Sequence, residues 1–155
     1  NATIMGPVYP FSEMFEAMSK RDLDFWGITK FHRVEHDPFG HSPYPYLPEH
    51  IQSHFHAYRK SLHTSQAFRD YWDSIPPIND YYDSVGLHES LFTKRFADKG
   101  FKWDVYVDTS DLEGFTYGPI TYAAKRLVAE KRCPIFKRRS FFHDPGRRQR
   151  CSGLI

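Results

Sequence analysis

The sequence predicts an α/β domain, a mixed sheet flanked by helices, and three observations carry that prediction. Segments with apolar residues at helical spacing alternate with short segments of period two, the pattern of an α/β layer. Hydrophobic residues make up 40% and charged residues 26% of 155 residues, so there is enough apolar chain for a real core and no case for wholesale disorder. The length suits one domain. Residues 3–155 are therefore expected to form a single α/β domain, with Asn1-Ala2 as the remnant of a cleaved tag.

The elements follow in order. Residues 6–10 (Gly-Pro-Val-Tyr-Pro) form a loop, and Pro10 suits a helix start. Phe11, Met14, Phe15 and Met18 share one face of a short helix over residues 11–20. Residues 23–29 read as a buried strand. Residues 31–47, with three prolines and no periodicity, read as a long loop. In residues 51–58, Ile51, Ser53, Phe55 and Ala57 alternate with Gln52, His54, His56 and Tyr58, which predicts a strand with one apolar and one polar face. Residues 61–74 predict a helix with Leu62, Phe68, Tyr71 and Trp72 inward, ended by Pro76-Pro77. Residues 80–99 carry the longest helical pattern, interrupted at Gly86 and closed by Gly100. Residues 101–108 alternate again as a strand, and residues 121–131 predict a helix. Residues 133–142 are ambiguous.

The net charge of +2 conceals an uneven distribution. Lys131, Arg132, Lys137, Arg138, Arg139, Arg147, Arg148 and Arg150 face one acid, Asp144, across residues 131–150. Such a block suits phosphates, an anionic membrane surface or a solvated tail. Nucleic acid is not expected, because no recognition motif accompanies the charge. Two cysteines, Cys133 and Cys151, make neither a disulfide framework nor a zinc motif. No apolar run approaches the roughly 18 residues of a membrane span. A cytoplasmic setting is the expectation.

The polar residues concentrate in two places. His50 and Gln52 lie on the polar side of the predicted strand, able to meet sugar hydroxyls. Ser53 should point inward with Ile51 and Phe55, which gives it less claim to a substrate. His88 and Glu89 sit together at the start of a helix body, where a carboxylate is also simply favoured by the helix dipole. The His50, His54 and His56 spacing would suit zinc, but no cysteine or acid completes a four-ligand set.

Residues 6–10, 24–29 (Asp-Phe-Trp-Gly-Ile-Thr), 49–53 (Glu-His-Ile-Gln-Ser), Phe68 with Tyr71-Trp72, His88-Glu89 with Phe92-Thr93, 99–101 (Lys-Gly-Phe) and 134–138 (Pro-Ile-Phe-Lys-Arg) carry a resemblance. In that order, they resemble the rhamnan synthesis protein F family of bacterial glycosyltransferases. The resemblance implies a Rossmann-like, GT-A-type fold. It implies transfer of a sugar, typically rhamnose, from a nucleotide-diphosphate donor to a growing cell-wall or surface polysaccharide. Glu89 is then the candidate general base, with Asp104, Asp108 and Asp111 as alternatives; His50, Gln52, Ser53 and His88 are candidates for binding substrate. Lys137, Arg138 and Arg139 are candidates for gripping the leaving diphosphate.

The family carries an Asn-Asp-Ser/Thr triplet just before the position of Gly6-Pro7, where related folds hold a metal-binding carboxylate. This sequence has Asn1-Ala2-Thr3 there. The expectation is a cut end, with the nucleotide-binding half upstream and a divalent metal, Mg or Mn, used only by the full-length enzyme. This stretch alone is expected to bind no cofactor, to bind nucleotide-sugar weakly and, with an exposed apolar surface, to form a homodimer. Its partners would be a nucleotide-sugar donor, a glycan acceptor and an anionic membrane at its inner face. The alternative is a non-catalytic carbohydrate- or polyanion-binding module.

Overall fold

A computed structural model describes residues 3–142. Asn1 and Ala2, and the tail residues Asp144, Arg147, Arg148, Arg150 and Cys151, lie outside the described residues. The elements run β1 (Ile4–Met5), α1 (Phe11–Ser19), β2 (Phe25–Gly27), β3 (Lys30–Phe31), β4 (His50–Ile51), β5 (His56–Tyr58), α2 (Lys60–His63), α3 (Gln66–Asp73), α4 (Tyr81–Asp83), a π-helical turn (Ser84–Glu89), α5 (Ser90–Ala97), β6 (Trp103–Val105), α6 (Pro119–Tyr122), α7 (Ala124–Lys131) and β7 (Phe136–Lys137). A 3₁₀ turn, Arg138–Phe142, follows β7.

The expected α/β architecture with a mixed sheet is present. β2 lies between β5, antiparallel, and β6, parallel. Two short ribbons flank this sheet, β1 with β7 and β3 with β4. All three residues of β2 are buried, as its apolar run dictates. Because successive side chains alternate, Phe25 and Trp26 enter different cores. Phe25 joins Ile51, Leu62, Tyr71, Phe92, Phe96 and Val105; Trp26 joins Met14, Met18, Ile28, Val107, Leu112 and Leu127. Gly27 has a steric reason to be glycine: a Cβ there would stand 2.1 Å from Ile51 Cγ2, so the β3–β4 ribbon could not approach the sheet.

Three expectations need correction. The predicted strand over residues 51–58 is two strands separated by a turn. The cause is bonding from Thr29, distant in sequence, that takes the place of the ladder. Thr29 Oγ1 donates to Gln52 Oε1 at 3.0 Å and lies 3.2 Å from His54 Nε2, while the Gln52 amide donates to the Thr29 carbonyl. The second correction concerns residues 61–74, which form two helices with Ser65 between them. Its hydroxyl caps α3 by accepting the Phe68 amide at 3.1 Å. Trp72, expected inward, is 49% exposed, and Phe11 and Phe15 on α1 are also exposed.

The third correction is inside the longest helix. α4 and α5 form one continuous helical run, but its middle six residues are a π-helix. A π turn makes i→i+5 bonds and rotates the faces of the residues that follow it. Gly86 lies in this turn and is buried, with the Phe39 Cβ only 2.7 Å from where a Cβ would stand. The long loop over residues 32–47 packs onto the helix through that gap.

Candidate functional site

The site forms where β4 ends and the π turn passes into α5. The Ile51 amide donates to Thr93 Oγ1 at 2.9 Å, which fixes the end of β4 against α5. Two residues on, the chain turns outward instead of continuing as strand. Ser53 is therefore exposed, contrary to the inward position expected of it, and its hydroxyl donates to Glu89 Oε2 at 2.5 Å. Two residues drawn from separate motifs, Ser53 and Glu89, thus meet directly.

His50 and Gln52 are placed differently from the expected solvent-facing strand face. His50 is 2% exposed, and its ring stacks on Phe31 at 5.3 Å. Its Nδ1 lies 2.8 Å from the Pro48 carbonyl. A carbonyl only accepts, so this nitrogen carries the proton. Burial holds the His50 pKa below its ordinary value, against the opposing pull of the Pro48 carbonyl, Glu89 and Glu49. Gln52 is 5% exposed, its amide oxygen taken by Thr29. Both support the turn from beneath.

His56 and His88 line the same groove as Ser53 and Glu89, and His54 follows Ser53 in the turn. Burial, then the nearby Lys137 and His56, push the His54 pKa down to about 3. Burial also lowers His56, opposed by the Ile51 carbonyl and by Glu89. The His56 Nδ1 lies 2.8 Å from Tyr58 Oη, and the His88 Nδ1 lies 3.2 Å from Tyr71 Oη. Neither Nε2 atom has a hydrogen-bond partner among the described residues, although both are buried.

Lys137 approaches from β7. Its ammonium is half-buried, and burial holds its pKa below the usual lysine range; Glu89 opposes that shift and Arg139 adds to it. None of the ion pairs among the described residues involves Lys137, Arg138 or Arg139. Arg138 and Arg139 are exposed beside it. The three alternative acids are differently engaged. Asp104 pairs with Arg21 at 2.8 Å, Asp108 accepts the Ser110 amide at 2.9 Å, and Asp111 holds Arg126 and Lys131, each at 2.7 Å.

Beside Glu89 opens a groove of about 340 Å³, lined by Ser53, His56, Tyr71, Trp72, Ile78 and His88 among others. The sequence pattern did not mark His56, Tyr58 or Ile78 as belonging to it. The available signal was Ile78, a large apolar residue just past Pro76-Pro77 that no helical face needed to bury. A second cavity, about 580 Å³, is lined by His32, Arg33, Glu49, Lys94, Trp103 and Glu113. Its charges are already matched, Lys30 with Glu49 at 2.8 Å and Arg33 with Glu35 at 3.0 Å.

The family model described as rhamnan synthesis protein F matches residues 1–153. The chain belongs to the rhamnan synthesis protein F family. That membership assigns it to rhamnan synthesis, a branch of polysaccharide biosynthesis. No curated protein and no solved structure gives a significant match. Among the described residues no helix is long and apolar enough to cross a membrane. No three His, Cys, Asp or Glu among them are arranged to hold a metal ion.

Proposed function

We propose that this member of the rhamnan synthesis protein F family is a glycosyltransferase of GT-A type, and that the chain supplies the acceptor side of its site. The single observation that carries the reading is the Ser53–Glu89 pair in the lining of a groove, with Lys137, which joins no ion pair among the described residues, near enough to feel the carboxylate.

In this reading Glu89 removes the proton of an acceptor hydroxyl as that oxygen forms its bond to the anomeric carbon of the donor sugar. The bond from the anomeric carbon to the diphosphate breaks, and the diphosphate leaves with the electron pair. Lys137, Arg138 and Arg139 take up the charge that develops there. A half-buried ammonium suits that task, because its charge is poorly screened. Ser53 orients the carboxylate, and His50 and Gln52 hold the turn that carries Ser53. His88 lines the acceptor groove. The donor is a nucleotide-diphosphate sugar, and the reaction runs in the cytoplasm, with the basic segment turned to an anionic membrane surface.

The test is transfer of labelled rhamnose from a nucleotide-diphosphate donor by the enzyme carrying this chain. Glu89→Gln keeps shape and removes the base. Turnover should fall by about 10²–10⁴-fold with folding unchanged, the usual contribution of general-base catalysis. Near wild-type turnover by a well-folded Glu89→Gln enzyme would overturn the assignment.

A further inference from the structure

We propose that the groove beside Glu89 is a saccharide subsite in which Trp72 is the stacking platform for one pyranose ring of the acceptor. The inference rests on the glycosyltransferase reading and adds which part of the acceptor is held, by which residues, and where.

The lining decides the class of ligand. At about 340 Å³ the groove lies near the lower end of small-molecule sites, roughly 300–1,000 Å³. The lining combines apolar Trp72, Ile75 and Ile78 with polar Ser53, His88 and Glu89. A pyranose combines the same two characters, a face of C–H groups and an edge of hydroxyls. Among the described residues of the lining the only formal charge is the Glu89 carboxylate, since burial lowers the pKa values of His56 and His88 below their ordinary value. That charge repels a phosphate or nucleotide, and a lipid chain would leave the polar groups unmatched. A neutral polyol satisfies both characters.

The platform is already oriented. Trp72 is fixed by near-perpendicular contacts to Tyr71 (5.1 Å, 81°) and Phe68 (5.9 Å, 69°). Its ring stays half-exposed, and Ile78 in the same lining is 52% exposed. Large apolar residues left open beside a cleft mark a binding surface, and a ring held in place before binding loses little entropy on contact. The polar groups of the lining are also held in place: His56 Nδ1 lies 2.8 Å from Tyr58 Oη, and His88 Nδ1 lies 3.2 Å from Tyr71 Oη. Ligand hydroxyls both donate and accept, so they can meet Ser53, Glu89 or a tyrosine hydroxyl of the lining. A pyranose stacked on Trp72 has its hydroxyl edge toward Glu89, where the proton must leave.

Titration of the ¹⁵N-labelled chain with a rhamnose disaccharide, followed by NMR, tests this without any donor. The disaccharide should shift the Trp72, His56 and His88 signals. Trp72→Ala should raise its Kd by about tenfold, about 1.4 kcal/mol, and Trp72→Phe by much less. Ile78→Ser, outside both cores, should also weaken binding and guards against a Trp72→Ala variant that fails to fold. Inorganic diphosphate should not compete. Absence of binding, or equal binding by the wild type and both variants, overturns the subsite. Glu89→Gln separates the two readings. It should still bind the disaccharide, so normal turnover by this variant would remove the catalytic role and leave the subsite standing. Inactivity of this variant, without Trp72-dependent binding, would do the reverse.

Discussion

The two cores on either side of β2 are built from different side chains, and only one of them opens toward the site. On the Trp26 side the packing is largely aliphatic or sulfur-bearing: Met14, Met18, Ile28, Val107, Leu127, Cys133 and Ile135. On the Phe25 side it is largely aromatic, with Tyr71, Phe92 and Phe96 backed by Tyr58, Phe68 and Trp103. Aliphatic groups fill volume and end there. Tyrosine rings bury an apolar body and still present a hydroxyl. On this side those hydroxyls, from Tyr58 and Tyr71, meet His56 and His88 at the edge of the groove. The aromatic core is thus also the inner wall of the candidate site, whereas the aliphatic core ties α1, α6 and α7 to the sheet.

Truncation on each side should separate these duties, and it carries the largest expected effect on stability. Phe96 is 1% exposed and contacts Phe92 at 4.8 Å, Tyr71 at 5.5 Å and Phe68 at 5.9 Å. Phe96→Ala should cost about 3–5 kcal/mol in urea unfolding, and also loosen the wall that positions Tyr71. Leu127→Ala in the other core should cost a comparable amount, about 2–5 kcal/mol. Disaccharide binding, measured on the folded fraction, should fall for Phe96→Ala and hold for Leu127→Ala. Equal losses of binding in the two would show that the cores do not divide the work.

Acid should act through the histidines that border the aromatic core and the neighbouring turn. His50, His54 and His56 all have pKa values below the ordinary 6.5, burial being the first cause in each. A histidine kept neutral by the fold protonates more readily in the unfolded chain. Its stabilisation is complete above pH 6.5 and is lost as pH falls; for His54 the loss continues toward about 3. Within that window each buried histidine can contribute up to about 1.4 kcal/mol per pH unit. Lys137 beside His54 opposes protonation further, while Glu89 partly offsets it at His50 and His56. Melting temperature should therefore drop between pH 6.5 and 5, and His54→Gln should flatten the drop. A melting temperature constant across that range would mean the histidines are open to water.

The sequence made the α/β class legible because residues 11–20 and 80–99 carry helical spacing and residues 23–29 an apolar run, and α1, α5 and β2 form within them. Glu89 and Ser53 were both identifiable as polar residues in motif positions, but their contact was not. It depends on the turn that Thr29 imposes on Gln52 and His54, across more than twenty residues of sequence. Period two persists through residues 51–58 although the ladder does not, since alternation records only side-chain polarity. The π turn was equally hidden. Gly86 marked an interruption, but a glycine in a helical pattern does not say whether the helix stops or widens.

The smallest effect belongs to the cap that starts α3, and it asks whether the groove depends on the helix as well as on the rings. Ser65 Oγ accepts the Phe68 amide at 3.1 Å, satisfying one of the amides that a helix start leaves unpaired. Ser65→Ala should cost about 1 kcal/mol, because the serine touches neither core and loses only that bond. α3 carries Tyr71 and Trp72 near its far end, so fraying at Ser65 reaches the groove only if the helix moves as a unit. Aromatic contacts from Phe68 and Tyr71 to Phe96 hold the body of the helix independently of the cap. Ser65→Ala should therefore lower the melting temperature slightly and leave the disaccharide Kd unchanged. A Kd that rose together with the loss of stability would show that α3 is positioned by its cap rather than by the aromatic core, and the contrast between the two cores would lose its functional half.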